Sequence, residues 1–138
     1  MSWSVRAWFR AIIKLSRTQR ATKVYRGTKG GVLPDKFWVP NAHGVRGGIE
    51  LGFMSTTTDR EVAMHYAKSE KKSSVVFEMQ MGMVDRGAPL KWCSQFPKEE
   101  EILFAPLTGL HDLTLEHIIS KMQRLILTYS TSSARTFR

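Results

Sequence analysis

Cysteine and long apolar runs are what this sequence lacks. Cys93 is the single cysteine among 138 residues, so no internal disulfide can form and a reducing compartment, the cytoplasm, is expected. No apolar run approaches the roughly 18 residues that a transmembrane helix needs. The histidines are scattered along the chain without metal-ligand spacing; they are His43, His65, His111 and His117. We therefore expect a protein without a disulfide, a membrane span or a metal.

Acidic residues are missing from the first 34 positions. Eight of the 21 basic residues lie there, which leaves 13 basic and 12 acidic residues in the rest of a chain whose net charge is +9. The positive charge thus describes one segment and not a basic face of the whole protein, which weakens a nucleic-acid-binding function. A hydrophobic content of 42% is typical of a globular protein, and the length indicates one domain.

The acid-free segment has helical periodicity. Its spacing predicts an amphipathic helix from Trp3 to Leu15 within a basic N-terminal segment, residues 1–22. The polar stripe of this helix consists of Arg6, Arg10, Lys14 and Arg17. A surface helix packed on the domain has this pattern, and a mitochondrial presequence or a membrane-surface helix is the alternative.

Three short stretches carry candidate chemistry. The first is Tyr25-Arg26-Gly27, at the end of a β-prone run. An arginine guanidinium suits phosphate, and a glycine lets backbone groups approach a ligand closely. An ordinary surface arginine before a turn is the alternative.

The second stretch runs from Gly52 to Asp59, where a strand ending at Met54 is followed by a run of hydroxyl residues. Thr58 and Glu61 have the spacing of a capping box, which predicts a helix whose apolar face includes Val62, Ala63, Tyr66 and Ala67. The hydroxyls would then lie between a strand and a helix N-terminus, a place suited to anions and hydrogen-bonded ligands.

The third stretch is Glu99-Glu100-Glu101, which leads into the apolar run Ile102-Leu103-Phe104. In an extended chain Glu99 and Glu101 would point the same way and Glu100 the opposite way. Such a pair suits a cleft that holds a cation, with one carboxylate stabilising positive charge at a sugar carbon. The alternative is a solvated acidic turn.

The three stretches, taken in order, resemble the signature of the mono-ADP-ribosyltransferases of the arginine-specific Arg-Ser-Glu (R-S-E) class. That signature is an arginine, then Ser-Thr-Ser or Ser-Thr-Thr, then Glu-x-Glu. The resemblance runs from about Val24 to Leu110. Each motif alone is weak, whereas the ordered trio is specific.

The resemblance implies an enzyme that transfers ADP-ribose from NAD, its substrate, to a protein arginine and releases nicotinamide without a metal. Arg26 would hold the NAD diphosphate, and the backbone of Gly27 would bind the nicotinamide amide. Ser55 would orient Glu101, which would stabilise the oxocarbenium ion formed as nicotinamide leaves.

The remaining roles implied by the resemblance concern ribose and acceptor. Thr56 and Thr57 would shape the nicotinamide-ribose side, and Glu99 would engage the acceptor arginine. Ser94 and Phe96 would lie in the loop that contacts the protein substrate.

The resemblance also implies an α+β fold with a two-sheet, mostly antiparallel core, flanking helices and a catalytic domain over residues 23–127. The family usually has at least one further strand after Glu-x-Glu, and we expect that C-terminal strand to be missing. Leu113 to Leu127 has helical spacing with Thr114 as N-cap, and the basic, Ser/Thr-rich residues 128–138 are typical of a disordered tail.

Two other functions stay open. In an NAD glycohydrolase water would replace arginine as the acceptor, and competition by agmatine would separate the two enzymes. A catalytically silent remnant would bind NAD or a partner protein, and changing Glu101 would then leave nicotinamide release unaltered.

Overall fold

The computed structural model describes residues 3–29, 33–68, 74–82, 85–112 and 124–133. Its helices are α1 (Trp3–Ser16) and α2 (Arg60–Ala67). Its strands are β1 (Lys23–Lys29), β2 (Gly47–Glu50), β3 (Met54–Thr57), β4 (Ser74–Gln80), β5 (Ala88–Pro89), β6 (Glu101–Phe104), β7 (Thr108–Asp112) and β8 (Arg124–Ser133). Short 3₁₀ turns occupy Asp35–Phe37 and Pro97–Glu99.

The strands form a hydrogen-bonded sheet in the order β2-β7-β8-β4-β1-β3-β6-β5. Its pairings are antiparallel except that β4 and β8 run parallel. β1 and β3 share a single register pair, Tyr25 with Thr57. The sheet therefore divides at this junction into a five-strand half and a three-strand half. The predicted α+β fold with a two-sheet, mostly antiparallel core is confirmed in this form.

The two faces of the sheet bury different clusters. The larger core contains Val75, Phe77 and Met79 from alternate positions of β4, together with partners from both halves of the sheet. On the other face Val76 packs against α2 through Ala63 and Ala67. Both faces of β4 are thus covered. The larger core covers the apolar face predicted from the alternating pattern of residues 74–81, and α2 covers the more polar face.

Helix α1 confirms the predicted N-terminal helix and extends it to Ser16. Ile12 and Ser16 are buried, while the basic stripe through Arg6, Arg10 and Lys14 is exposed. The helix therefore packs its apolar side on the domain, near β5, and keeps its long basic side chains in solvent. Neither α1 nor α2, the helices of the described residues, has the length and apolar composition needed to cross a lipid bilayer.

The predicted C-terminal organisation is wrong where the structure describes it. β7 and β8 follow β6, so the sheet does not lack a C-terminal strand. The predicted helix over residues 113–127 includes 124–127, which belong to β8, and the predicted disordered tail includes 128–133, which also belong to it. Residues 113–123, with Thr114, and 134–138 lie outside the described residues.

Pairing partners explain the error. β8 lies between β4 and β7 and bonds to both, and a central strand need not alternate apolar and polar residues. A short apolar run such as 125–127 therefore does not distinguish a buried strand from a helix by its spacing.

Candidate active site

A cleft of about 370 Å³ opens beside the β1–β3 junction. Its walls come from β1, β3, the first turns of α2 and the segment before β6. The lining residues are Tyr25, Arg26, Gly27, Phe53, Ser55, Thr56, Thr57, Val62, Ala63, Tyr66, Glu99 and Glu101. The three stretches singled out in the sequence thus meet in one concave site, with a volume inside the range of about 300–1,000 Å³ that is usual for small-molecule sites.

Ser55 and Glu101 are joined across neighbouring strands. The register pairs Thr57 with Glu101 and Ser55 with Leu103, so Ser55 and Glu101 lie diagonally on one face of the β3–β6 pair. The Ser55 hydroxyl donates a hydrogen bond of 2.6 Å to Glu101 Oε1. A hydroxyl-to-carboxylate bond of this length is charge-assisted, and it fixes the orientation of the carboxylate.

Glu99 and Glu101 line the same cleft, but the backbone conformation that brings them there differs from the predicted one. The segment is not extended: Pro97–Glu99 forms a 3₁₀ turn, and Glu100 is left-handed with φ 49°. This turn brings both carboxylates to the cleft, while the Glu100 carboxylate contacts the Lys91 ammonium away from it. The predicted convergence of Glu99 and Glu101 is found, but strand alternation is not its cause.

Tyr66 is a cleft residue whose role the sequence did not reveal. It was placed on the apolar face of α2, yet its side chain is 48% exposed and its hydroxyl donates a 2.5 Å hydrogen bond to Glu99 Oε1. This bond, with burial and the negative charge of Glu99 and Glu101, raises the pKa of Tyr66 above its ordinary value. The helical spacing of Tyr66 from Val62 and Ala63, which also line the cleft, was the available signal.

The hydroxyls of Thr56 and Thr57 make bonds within the protein. Thr56 is buried and donates to the Ile102 carbonyl at 2.7 Å. Thr57 donates to the Glu99 carbonyl at 2.5 Å and accepts from the Asp59 N–H at 2.9 Å. Both residues line the cleft, but these two hydroxyls maintain its walls.

The local structure of this stretch corrects two predictions. The first three hydroxyl residues, Ser55 to Thr57, are part of β3 and do not follow it, because β3 spans Met54–Thr57 and pairs along its length with β6. The N-cap of α2 is Asp59 and not Thr58, since the Asp59 carboxylate accepts from the Glu61 N–H at 2.8 Å. Thr58 instead donates its N–H to the Glu100 carbonyl, which links α2 to the acidic turn.

Arg26 and Gly27 line the cleft from β1. The Arg26 guanidinium lies 3.7 Å from a carboxylate oxygen of Glu50, a half-exposed ion pair. A Cβ on Gly27 would lie 1.9 Å from the Ala63 carbonyl oxygen and 2.9 Å from the Ala67 nitrogen. Gly27 is therefore required for the close approach of α2 to β1, a role that is independent of any ligand.

Ser94 and Phe96 lie outside the cleft. The Ser94 hydroxyl accepts from the Phe96 N–H at 3.0 Å, which closes a tight turn, and the Phe96 ring is 63% exposed. Trp92, in the same loop, is also strongly exposed. The loop therefore presents aromatic surface just before the acidic turn.

Within the described residues no group of three or more histidine, cysteine or carboxylate side chains is placed to hold a metal. Cys93, the single cysteine, is exposed.

Comparisons with known proteins identify the family and relatives of similar fold. A sequence model described as NAD:arginine ADP-ribosyltransferase matches residues 5–130. No curated protein matches the chain. Among solved structures, the ADP-ribosyltransferase Vis of Vibrio splendidus is 22% identical with a TM-score of 0.64, over 94% of this chain and 57% of that one.

Two further bacterial ADP-ribosyltransferases have a similar fold. HopU1 of Pseudomonas syringae pv. tomato is 22% identical with a TM-score of 0.65, over 88% of this chain and 50% of that one. Exoenzyme S of Pseudomonas aeruginosa, solved with human 14-3-3 protein beta and carba-NAD, is 20% identical with a TM-score of 0.62, over 91% and 54%.

The chain spans only 50–57% of the length of these three structures. The family match, in contrast, covers nearly all of the chain. This chain belongs to the NAD:arginine ADP-ribosyltransferase family.

Proposed function

We propose that this chain transfers ADP-ribose from NAD to an arginine of a protein substrate and releases nicotinamide. The observation that carries the proposal is the Glu101 carboxylate, held by the Ser55 hydroxyl at 2.6 Å in the cleft that also contains Glu99. Family membership supports NAD as the donor. Exoenzyme S with carba-NAD and Vis with agmatine, a small guanidinium compound, support the same donor and acceptor chemistry.

NAD would bind along β1 and β3. Arg26 holds the diphosphate in this proposal, because a guanidinium presents paired N–H donors that match phosphate oxygens. At 3.7 Å its ion pair with Glu50 is weak enough for a phosphate to displace. The backbone of Gly27 binds the nicotinamide amide, and Ser55, Thr56 and Thr57 bound the nicotinamide-ribose side.

The first step breaks the bond between the ribose C1′ and the nicotinamide nitrogen. The bonding electrons leave with nicotinamide, which becomes neutral, and positive charge spreads over C1′ and the ring oxygen of the ribose. Glu101 stabilises this oxocarbenium ion through its negative charge and its hydrogen bond to the ribose 2′-hydroxyl. A carboxylate already fixed by Ser55 needs little reorganisation as the charge develops.

The second step forms a bond between C1′ and a nitrogen of the acceptor guanidinium. That nitrogen must lose a proton, and an arginine holds its proton tightly because its pKa lies above about 12. Glu99 orients the guanidinium and accepts the proton as the new bond forms. The electron pair for the bond comes from the guanidinium nitrogen, so the charges balance.

The protein substrate would contact the loop before the acidic turn. Phe96 and Trp92 expose large aromatic surfaces there, and Ser94 fixes the turn between them. Aromatic side chains on an exposed loop are typical of surfaces that bind another protein.

Nicotinamide release and ADP-ribosylation of agmatine by the purified chain test the proposal. We expect Glu101→Gln to lower release by about 100-fold or more, since it removes the charge opposite the oxocarbenium ion. Glu99→Gln should abolish transfer to agmatine and retain slow hydrolysis of NAD. Glu100→Gln is the matched control, because the Glu100 carboxylate contacts Lys91 and does not line the cleft.

Other outcomes indicate the alternative functions. If agmatine neither accelerates nicotinamide release nor becomes ADP-ribosylated, the chain is an NAD glycohydrolase. If the folded chain does not turn over NAD, or if Glu101→Gln equals the wild type, the chain is a silent NAD-binding or partner-binding remnant.

A further inference from the structure

Tyr66 leaves much of its side chain outside the core of the domain. The side chains of Ala63 and Ala67 on the same helix are buried, whereas Tyr66 is exposed over nearly half its surface. Its hydroxyl nevertheless reaches a carboxylate oxygen of Glu99 at 2.5 Å, across the cleft from α2 to the acidic turn.

Glu99 needs such a contact because the sheet does not fix it. It ends a 3₁₀ turn, and the next residue, Glu100, is left-handed, so the first residue paired in β6 is Glu101. Two hydroxyl groups instead hold Glu99 in position by hydrogen bonds. Thr57 donates to its backbone carbonyl and Tyr66 to its carboxylate, each at 2.5 Å.

The two cleft carboxylates therefore have separate hydroxyl partners. Ser55 donates to Glu101 and Tyr66 donates to Glu99, in each case to Oε1. A carboxylate with one oxygen held keeps the other for a further hydrogen bond.

We propose that Tyr66 is the residue that positions Glu99 for the acceptor: its hydroxyl holds one carboxylate oxygen and leaves the other for the acceptor nitrogen. This inference rests on the proposed transferase function. In this proposal Tyr66 influences whether arginine or water reacts with the oxocarbenium ion. It takes no part in breaking the bond to nicotinamide.

The test is the ratio of agmatine transfer to NAD hydrolysis, measured in one reaction for Tyr66→Phe. This variant removes one hydroxyl and keeps the ring. We expect the ratio to fall by roughly fivefold, the net effect of one typical hydrogen bond in water, with total nicotinamide release nearly unchanged. A rise in the KM for agmatine should account for most of the loss.

Thr18→Val is the matched control. Thr18 also donates one hydroxyl hydrogen bond, of 2.7 Å to the Leu15 carbonyl, at an exposed position after α1. Its loss should leave the ratio at the wild-type value. A general loss of stability in Tyr66→Phe would lower transfer and hydrolysis together and would not change their ratio.

Two outcomes would overturn the inference. One is a Tyr66→Phe variant with a wild-type ratio. The other is a fall of the ratio that comes with a matching loss of nicotinamide release in the absence of agmatine, because a residue that acts only through Glu99 takes no part in breaking the nicotinamide bond. If instead wild-type release is absent or insensitive to Glu101→Gln, the proposed function itself has failed, and that result is distinct from either of these.

Discussion

A Cβ on Gly27 would lie 1.9 Å from the Ala63 carbonyl oxygen, so β1 and α2 are as close as a glycine permits. This contact holds two walls of the cleft together, since Gly27 and Ala63 both line it. A residue at a motif position can therefore be essential for the fold whether or not it contacts a ligand.

Gly27→Ala should destabilise the protein, because α2 must move away from the sheet to admit the methyl group. We expect a loss of about 1–3 kcal/mol in the free energy of unfolding, the usual range for overpacking. Urea denaturation followed by circular dichroism measures it. Gly82→Ala is the control, since no heavy atom of the residues that the structure describes lies within 4 Å of a Cβ built there. Equal stability of the two variants would contradict the packing role.

Ser55→Ala should lower nicotinamide release with little change in stability. Ser55 is exposed, and its described side-chain bond is the one to Glu101. Hydrogen bonds to charged groups contribute about 1.5–3 kcal/mol, so we expect roughly a 10- to 100-fold loss of the rate. Ser55→Thr, which keeps a hydroxyl, should recover part of it. A fully active Ser55→Ala would mean that Glu101 is oriented by other contacts.

Glu100→Gly should be more stable than Glu100→Ala by about 1 kcal/mol, because an L side chain is strained in the left-handed conformation of this residue. Both variants lose the contact with Lys91, so that loss cancels in the comparison. In a regular strand the order of stability would be reversed. Thermal unfolding of the two variants side by side gives the answer, and a more stable alanine variant would be inconsistent with the turn described here.

Glu50→Gln should strengthen NAD binding. The Glu50 carboxylate lies 3.7 Å from the Arg26 guanidinium and would compete with the NAD diphosphate for it. Because the pair is partly exposed and worth at most about 1 kcal/mol, we expect a two- to threefold fall in the KM for NAD and an unchanged kcat. An unaltered KM at low salt, where such interactions are strongest, would argue against diphosphate binding by Arg26.

The Tyr66 phenol should ionise at a higher pH than its ordinary value of 10.0, since its hydrogen bond to Glu99 favours the protonated form. The bond is thus fully present below pH 10 and is lost as the pH rises through the raised pKa. The absorbance of tyrosinate is measured against pH for the wild type and for Tyr66→Phe. The difference between the two curves is the titration of Tyr66 without that of the other tyrosines. In Glu99→Gln the pKa of Tyr66 should fall towards its ordinary value.

Local patterns in the sequence predicted the elements that local forces stabilise. The spacing of apolar and basic residues predicted α1 to within one residue of its end, and alternation predicted β4, because each pattern repeats with the geometry of its own element. The order of the three motifs also predicted that Arg26, Ser55 and Glu101 would line one cleft, as they do.

The tertiary structure decided what depends on residues distant in sequence. β7 and β8 are strands because they pair with each other and with β2 and β4, which no local period of residues 108–133 specifies. Tyr66 meets Glu99 only because Gly27 lets α2 approach β1, and the two carboxylates converge only because Glu100 adopts a left-handed turn. The sequence by itself determined the types of the candidate site residues and their order along the chain. Their distances and hydrogen bonds were decided by sheet pairing and helix packing between segments far apart in the chain, which local conformational preferences do not encode.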